Sequence, residues 1–451
     1  MKAEPSLADT LPAAAAERLS WPAYLGLGLA AAVLGVVVSV GVSLFSRLIE
    51  ATHRLSYNML AGAVQPIAPW AIALIPAVGG IVVALILKLG TRPEKLAAMA
   101  HIVDGVAERG GRLSDRNGFV FVIASAIGIG VGAPVGADTP AAMIGAHLAS
   151  WFGQRTSQRD VVIRALVVAG IAAGIAATYF AQLAAIFFAL EIVLGGFGGV
   201  VYIVPVLIAV STSALFSFLV EGMGQQYAPQ PGLALSDWTL ALYVAVALVA
   251  AAAAVVYVNL LPIMRRQWRR VNLPYWAKPA LAGLIVGCVG LWLPDVLGTG
   301  LSPMKQIFEG TAFSLNVLLA LAVTKIILTP LCLGSGFAGG VIGPALLIGS
   351  ALGYAFGDVV ARLMPSATVS PAALAMVATA AMLAATFHAP LFGAMMVLEM
   401  SADYRLLVPI LLAAALAYAL ARRFQPGSAY TFALPAAGIH LQPGTFRVDH
   451  R

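Results

Sequence analysis

A stretch of small and apolar residues in the first half of this chain occurs a second time, 204 residues later. The two copies, 132–153 and 336–357, agree at glycine, proline and apolar positions, which in the first copy are Gly132, Gly136, Pro140, Ile144, Gly145, Leu148, Phe152 and Gly153. A further match, offset by 208 residues, sets 178–192 beside 386–400 and aligns Glu191 with Glu399. Repeated units with a glycine-rich break before a short apolar helix are typical of transporters whose binding site lies between broken helices.

The composition indicates that these repeats fold in a lipid bilayer. Of the 451 residues, 61% are hydrophobic and only 10% are charged, so one soluble core cannot bury the apolar surface. Segments that reach or approach the roughly 20 residues needed to cross a bilayer are Tyr24–Leu44, Trp70–Leu87, Val161–Ala177, Val200–Leu219 and Leu240–Leu261. Shorter stretches at 141–152, 183–194 and 341–353 are interrupted by glycine or proline, which predicts helices that stop inside the protein. The predicted fold is an all-α polytopic membrane protein with two inverted-topology repeats of full and broken helices.

The basic residues predict how the chain is oriented. Their strongest cluster, Arg265 to Arg270, belongs in the cytoplasm by the positive-inside rule, and basic residues in both tails place both termini there. The span that begins near residue 240 therefore starts outside, whereas the span that begins near residue 24 starts inside, so the repeats are inverted. We expect cytoplasmic tails at 1–23 and 441–451, repeats at 24–236 and 237–440, and a multi-pass protein of the plasma (inner) membrane. Because the charges sit in short loops, no nucleic-acid partner is expected.

Asp138 is an acid at the start of a helix within an apolar region. The sequence Asp138-Thr139-Pro140 signals a helix start and predicts a helix over 141–153. Its free first amides and the positive end of its dipole form an anion site, and a facing start at Val341 and Ile342 would add more donors. An alternative interpretation is that Asp138 only caps its own helix.

Several segments make the sequence resemble the CLC family of chloride channels and chloride/proton antiporters over nearly its whole length. GSGFAGGVIGPALLIGSALG (334–353) is similar to the family's GxFxP segment, and 385–410 resembles the segment that follows it. SAYTFALPAAG (428–438) resembles the terminal segment that bears the pore tyrosine, here Tyr430. The resemblance implies a homodimer with one anion pathway per subunit, in which helix-end amides and hydroxyls hold dehydrated chloride or a similar small anion. Tyr430 could instead belong to an interfacial aromatic belt.

The family's functional positions are only partly retained. GADTP (136–140) matches the family's G(K/R)EGP, so Asp138 takes the place of the gating glutamate and Thr139 follows it at the helix start. The family's GSGIP motif falls on LAAMA (96–100), where Ala97 replaces the anion-coordinating serine. In LEIV (190–193), Ile192 takes the position of the internal proton-transfer glutamate. Because aspartate is one methylene shorter than glutamate, it is expected to reach only partly into an anion site that lies deep between the helix starts, and glutamate at 138 is then expected to close the pathway better.

The sequence therefore predicts a passive, gated pathway for chloride or a similar small anion, with Asp138 as the gate and Thr139, Val341, Ile342, Tyr430 and the Ala97 position at the anion. Chloride/proton antiport by a route that does not need Ile192 is the alternative, and sodium-coupled solute transport is open on repeat architecture alone. Glu191 and Glu399 are expected to be structural, and the hydroxyls of Thr139 and Ser335 could be helix caps only. An enzyme is not expected, because no nucleophile and base or metal-spaced set is found, and neither is a cofactor or metal.

Overall fold

The computed structural model describes residues 20–64, 68–90, 98–113, 115–196, 200–222, 237–310, 313–364, 370–425 and 427–431. These residues form helices joined by short connections. The first half contains α1 (Trp21–His53), α2 (Ala61–Val64), α3 (Leu74–Gly90), α4 (Ala98–Glu108), α5 (Asp115–Gly130), α6 (Asp138–Arg155), α7 (Asp160–Tyr179), α8 (Gln182–Phe187) and α9 (Val200–Glu221). The second half contains α10 (Asp237–Arg270), α11 (Ala277–Trp292), α12 (Leu301–Phe308), α13 (Leu315–Ser335), α14 (Ile342–Leu363), α15 (Pro371–Phe387), α16 (Pro390–Ser401) and α17 (Leu407–Phe424). Two π-helical segments, Arg54–Leu60 and Phe188–Val193, continue α1 and α8, and single 3-10 turns lie at Pro69–Ala73, Pro294–Val296 and Tyr404–Leu406.

The two halves meet at a pair of equivalent glycines. Gly136 and Gly340, 204 residues apart, each donate and accept one backbone hydrogen bond of 2.7 Å in an antiparallel bridge. Helices α6 and α14 begin two residues after their respective glycines. Because equivalent residues pair with each other, the two-fold relation between the inverted repeats passes through this bridge.

The second sequence match, at an offset of 208, also has a structural counterpart. Phe180 follows the end of α7 and His388 follows the end of α15, and both residues adopt the left-handed conformation with φ of 53° and 54°. This conformation ends a helix abruptly and is uncommon for residues with a side chain. In both repeats it turns the chain into a short helix, α8 or α16.

The predicted spans lie within observed helices, with corrections to the short ones. Eight helices of the described chain are long and apolar enough to cross a membrane, and five of them contain the five predicted spans. The stretch 183–194 is short as predicted, since α8 and its π-helical continuation cover Gln182–Val193. The prediction for 341–353 is wrong, because α14 continues to Leu363 and has 22 residues. Helix α6 is also longer than predicted and includes Asp138 as its first residue.

Helices α7 and α14 lie at the centre of the molecule. In the most apolar 18-residue stretch of each helix, 83% of the residues of α7 and 67% of those of α14 are buried. The corresponding share for the other long spans is 33–44%. Close packing of α6 on α7 depends on glycine, because a Cβ at Gly145 would overlap the backbone carbonyl of Gly170. This contact fixes α6, and with it the position of Asp138, against the buried helix α7.

Candidate functional site

The carboxylate of Asp138 binds the first amides of the helix that belongs to the other repeat. Its Oδ2 accepts a hydrogen bond of 3.1 Å from the Val341 amide, and its Oδ1 accepts one of 3.1 Å from the Ile342 amide. Asp138 is fully buried, with 0% of its surface exposed. The carboxylate thus occupies the positive end of the α14 dipole, which is a position suited to an anion.

This geometry answers the alternative that Asp138 caps its own helix. The N-cap residue of α6 is Ala137, which makes no side-chain cap, and the Asp138 side chain instead accepts hydrogen bonds from the first amides of α14. An acid that caps a helix from a different repeat can leave without unwinding its own helix. The same two amides are then available to another anion.

The expectation that the shorter acid reaches this seat only partly is wrong. Both carboxylate oxygens of Asp138 lie within hydrogen-bond distance of the α14 amides. The glycine bridge explains the reach, because a Cβ at Gly340 or at Gly136 would collide with the Asp138 carboxylate. Because Gly136 and Gly340 have no side chains, the starts of α6 and α14 approach closely enough for an aspartate to reach the α14 amides.

Three tyrosine hydroxyls surround the carboxylate and the α14 start. Tyr430 donates a hydrogen bond to Asp138 Oδ2, and Tyr179 Oη lies 3.4 Å from Oδ1. Tyr257 on α10 is fully buried, and its Oη lies 3.5 Å from the Val341 carbonyl oxygen. Hydroxyl hydrogens can turn toward a carboxylate or toward a bound anion in the same place.

Tyr430 is held inside the protein by aromatic contacts. Its ring centroid lies 5.0 Å from that of Phe387 and 6.0 Å from that of Phe188, and the amide of Ala429 donates to the Thr386 carbonyl. Only 5% of its surface is exposed. Tyr430 therefore lies beside Asp138 and not in an aromatic belt at the protein surface.

The two hydroxyl residues proposed at the helix starts differ in their partners. Thr139 Oγ1 lies 3.4 Å from Asp138 Oδ2, so this hydroxyl faces the carboxylate. Ser335 Oγ donates a 2.8 Å hydrogen bond to the Cys332 carbonyl within its own helix, α13. Thr139 thus belongs to the site, whereas Ser335 satisfies the end of α13.

A cavity of about 130 Å³, here called the narrow cavity, has Thr139, Val341 and Tyr430 among its lining residues. It shares Arg265, Gly334 and three other residues with a wider cavity of about 660 Å³. Four cationic side chains line the wider cavity: Lys88, Arg265, Arg269 and Lys278. An anion that entered here would meet positive charge first and the α14 amides last.

Two of the positions predicted from the sequence, Ala97 and Ile192, are not among the residues that the structure brings together around Asp138. Ala97 lies outside the described residues, but its near neighbours Met99 and Ala100 at the start of α4 line the narrow cavity. Ile192 is buried, with 7% exposure, in the π-helical segment that follows α8. The structure brings Asp138, Thr139, Val341, Ile342 and Tyr430 together, and Ile192 makes no polar contribution to them.

Three residues of the site were missed from the sequence. Tyr179 faces the Asp138 carboxylate, Tyr257 lies beside the Val341 carbonyl, and Arg265 lines both cavities. The 208-residue match contained a signal for the first, since it aligns Tyr179 with Phe387 and so marks a hydroxyl that only one repeat carries. No comparable signal distinguished Arg265 within its run of basic residues.

Comparisons with known proteins show the family to which the chain is similar. Residues 79–422 match the sequence profile of the family described as voltage gated chloride channel. A ClcB-like chloride channel protein of Ralstonia nicotianae is 31% identical over 81% of this chain and 86% of its own length. The voltage-gated ClC-type chloride channel ClcB of Citrobacter koseri is 28% identical over 89% of this chain and 97% of its own length.

Solved structures share the fold at lower identity. A slow cyanobacterial Cl⁻/H⁺ antiporter superposes with a TM-score of 0.83 at 21% identity, covering 91% of this chain and 97% of its own. A CLC-type fluoride/proton antiporter superposes with a TM-score of 0.77 at 20% identity, covering 92% and 98% of the two chains. At these identities the likeness concerns the path of the chain.

Proposed function

The chain belongs to the voltage-gated chloride channel family, and from this premise we propose that it is a passive, gated pathway for chloride or a similar small anion. Anion transport across a membrane is the activity common to the family. The finer assignment to a gated pathway rests on one observation, which is the position of the Asp138 carboxylate on the amides of Val341 and Ile342.

In the proposed mechanism, Asp138 competes with the transported anion for one seat. While ionised, the carboxylate holds the two amides and the Tyr430 hydroxyl, and it thereby closes the pathway. Protonation removes the negative charge, so the hydrogen bonds from the amides weaken and the side chain can leave. Chloride then takes the same donors, and the flux rises as the pH falls.

The approach to the gate favours anions over cations. The wider cavity is lined by Lys88, Arg265, Arg269 and Lys278. It adjoins the narrow cavity, which Tyr430 lines, because the two cavities share lining residues. A concave surface of one charge sign raises the local concentration of counter-ions and their rate of entry. At the gate itself, backbone amides and hydroxyls replace part of the anion's hydration shell.

A flux assay tests this function. Purified protein in liposomes loaded with chloride is expected to release chloride when a potassium ionophore sets the potential, and release should increase at lower pH. Protein-free liposomes and liposomes with the heat-unfolded protein provide the controls. Absence of anion flux at every pH from 4 to 8 would contradict the proposal.

Chloride/proton antiport is the second candidate, because the two solved structures with the same fold are named as Cl⁻/H⁺ and fluoride/proton antiporters. Because Ile192 is a buried apolar side chain and cannot relay a proton, antiport would require a proton route that does not need this residue. Antiport predicts that a chloride gradient alone drives protons uphill in liposomes, whereas a passive pathway does not. The same assay with a fluoride gradient ranks the two anions, and a sodium gradient tests cation coupling.

The chain is an integral, multi-pass membrane protein, and we further propose the inner membrane as its location, with both termini in the cytoplasm. The basic cluster on α10 and the bacterial ClcB relatives support this placement. A homodimer with one pathway per subunit is the proposed assembly. Single-molecule photobleaching in liposomes, together with cysteine labelling near each terminus, tests both.

A further inference from the structure

The wider of the two cavities carries enough positive charge to bind a polyvalent anion as well as to attract a monovalent one. Within the described residues, its lining contains four cationic side chains and no acidic one: Lys88, Arg265, Arg269 and Lys278. None of the four forms an ion pair with a carboxylate in the described part of the chain. Like charges in one concave surface repel each other, so the arrangement favours an occupant that neutralises more than one of them.

The cations are held in place from different sides of this cavity. Lys278 Nζ donates a 2.8 Å hydrogen bond to the Trp268 carbonyl, and Lys88 Nζ lies 5.0 Å from the centroid of the Tyr275 ring. Arg265 and Arg269 lie one turn apart on α10 and both face the cavity. A guanidinium group can donate two parallel hydrogen bonds to two phosphate oxygens, and an ammonium group attracts phosphate as a point charge. The two arginines and two lysines of this cavity therefore suit a chain of phosphate groups.

The two cavities differ in size, and the wider one has room for a small-molecule ligand. A volume of about 660 Å³ is within the usual range for small-molecule sites, of roughly 300–1,000 Å³. The adjoining cavity is about five times smaller, at about 130 Å³. Because Arg265 and Gly334 line both, an occupant bound at Arg265 would stand across the entrance of the narrow cavity.

We propose that this basic vestibule, defined by Lys88, Arg265, Arg269 and Lys278, binds a polyvalent phosphate such as a diphosphate or triphosphate group, and that its occupation blocks anion flux. The binding half of the proposal is independent of the transport function. The blocking half rests on the proposed anion pathway.

Binding is measured first, with radiolabelled pyrophosphate and purified full-length protein in detergent by equilibrium dialysis. We expect saturable binding that weakens with increasing salt, and a loss of at least about tenfold in affinity for Arg269→Gln and for Lys278→Gln. Arg155→Gln removes an exposed arginine at the end of α6, away from the vestibule, and serves as the matched control. Non-saturable binding at about 0.1 M salt, or equal affinity in all four proteins, would overturn the proposal.

Competition distinguishes the source of the phosphate. Displacement of labelled pyrophosphate by ATP assigns a soluble occupant, and displacement by cardiolipin in mixed micelles assigns a lipid headgroup. If neither competes, the site binds free pyrophosphate alone, which supports the binding proposal and excludes both of these sources. Each variant's elution from a sizing column and thermal unfolding midpoint show that it is folded.

Flux in liposomes then tests the block. Pyrophosphate added to both sides is expected to inhibit chloride release by the natural protein and by Arg155→Gln, and to inhibit Arg269→Gln at least about tenfold less potently. Saturable binding without inhibition would overturn the blocking role. Binding with no chloride flux in any preparation would instead remove the proposed transport function and leave the phosphate site standing.

Discussion

Glu191 and Glu399 exchange helix caps between the two repeats. The Glu399 carboxylate accepts hydrogen bonds of 2.8 Å from the amides of Leu183 and Ala184 at the start of α8, which continues into the segment that carries Glu191. The Glu191 carboxylate accepts hydrogen bonds of 3.2 and 2.8 Å from the amides of Leu391 and Phe392 at the start of α16, which carries Glu399. The two residues are equivalent at an offset of 208, and so are the amides they bind.

This exchange predicts a shared structural role for Glu191 and Glu399. Glu191→Gln and Glu399→Gln each replace a charged acceptor with a neutral one, and the loss of a helix cap costs about 0.5–2 kcal/mol. We expect both variants to lower the thermal unfolding midpoint by similar amounts, measured in detergent. Their chloride flux per folded protein should match the natural protein. A variant with normal stability and altered pH dependence would assign that glutamate to transport.

Asp138→Ala tests the gate directly. Removal of the carboxylate leaves the amides of Val341 and Ile342 open to an anion at every pH, so flux should be faster and nearly independent of pH between 4 and 8. Asp138→Asn retains the shape without the charge and should behave in the same direction. Liposome chloride release at a series of pH values measures both, and an unchanged pH profile in either variant would remove Asp138 from the gate.

The two tyrosine hydroxyls that face Asp138 should contribute unequally. A hydrogen bond to a charged group contributes about 1.5–3 kcal/mol, and Tyr430 donates such a bond. Tyr430→Phe should therefore weaken the closed state and move the pH of half-maximal flux upward. Tyr179 Oη lies 3.4 Å from the carboxylate, so Tyr179→Phe should move the profile less. Equal shifts in the two variants would show that the distances do not describe the gate.

The seat at α14 could be predicted from sequence because backbone donors need no particular side chain. A helix start at Val341 and Ile342, a glycine-rich break and a repeat were enough to infer it. The direction of the Asp138 side chain could not be predicted, because it depends on how closely Gly136 and Gly340 approach in space. The reciprocal caps of Glu191 and Glu399 were equally hidden, since the offset shows equivalence and not contact. The length of α14 was underestimated because its glycine and proline residues were taken as interruptions, whereas the helix continues past them to Leu363.

Ile192→Glu restores an acid at the position that the family resemblance assigns to internal proton transfer. If the site otherwise retains a proton route, a chloride gradient should drive proton movement in this variant and not in the natural protein. Ile192 is buried, and an unpaired buried acid is costly, so the variant's folding must be established by its elution from a sizing column. Ile192→Gln controls for polarity without a titratable proton. A folded but uncoupled Ile192→Glu protein would mean that more than this acid is missing.

Asp138→Glu is the variant for which the sequence and the structure predict opposite effects on closure of the pathway. One methylene moves the carboxylate by roughly 1.3 Å, and the sequence alone predicted that this extension would improve closure. In the structure both carboxylate oxygens already bind the α14 amides, and the Gly136 and Gly340 backbones leave no room beside them. Overpacking of such a site costs about 1–3 kcal/mol, which destabilises the closed state relative to the open one.

We therefore expect Asp138→Glu to raise chloride flux at neutral pH and to retain a rise in flux as the pH falls, because a titratable acid is still present. Asp138→Ala on the same liposome assay gives the profile without an acid, and the natural protein gives the profile with a fitted one. The glutamate variant should fall between them at pH 7 and converge with both at pH 4. Lower flux than the natural protein at pH 7 would show that reach limits closure after all, and the close fit of Asp138 to its seat would not be what determines the gate.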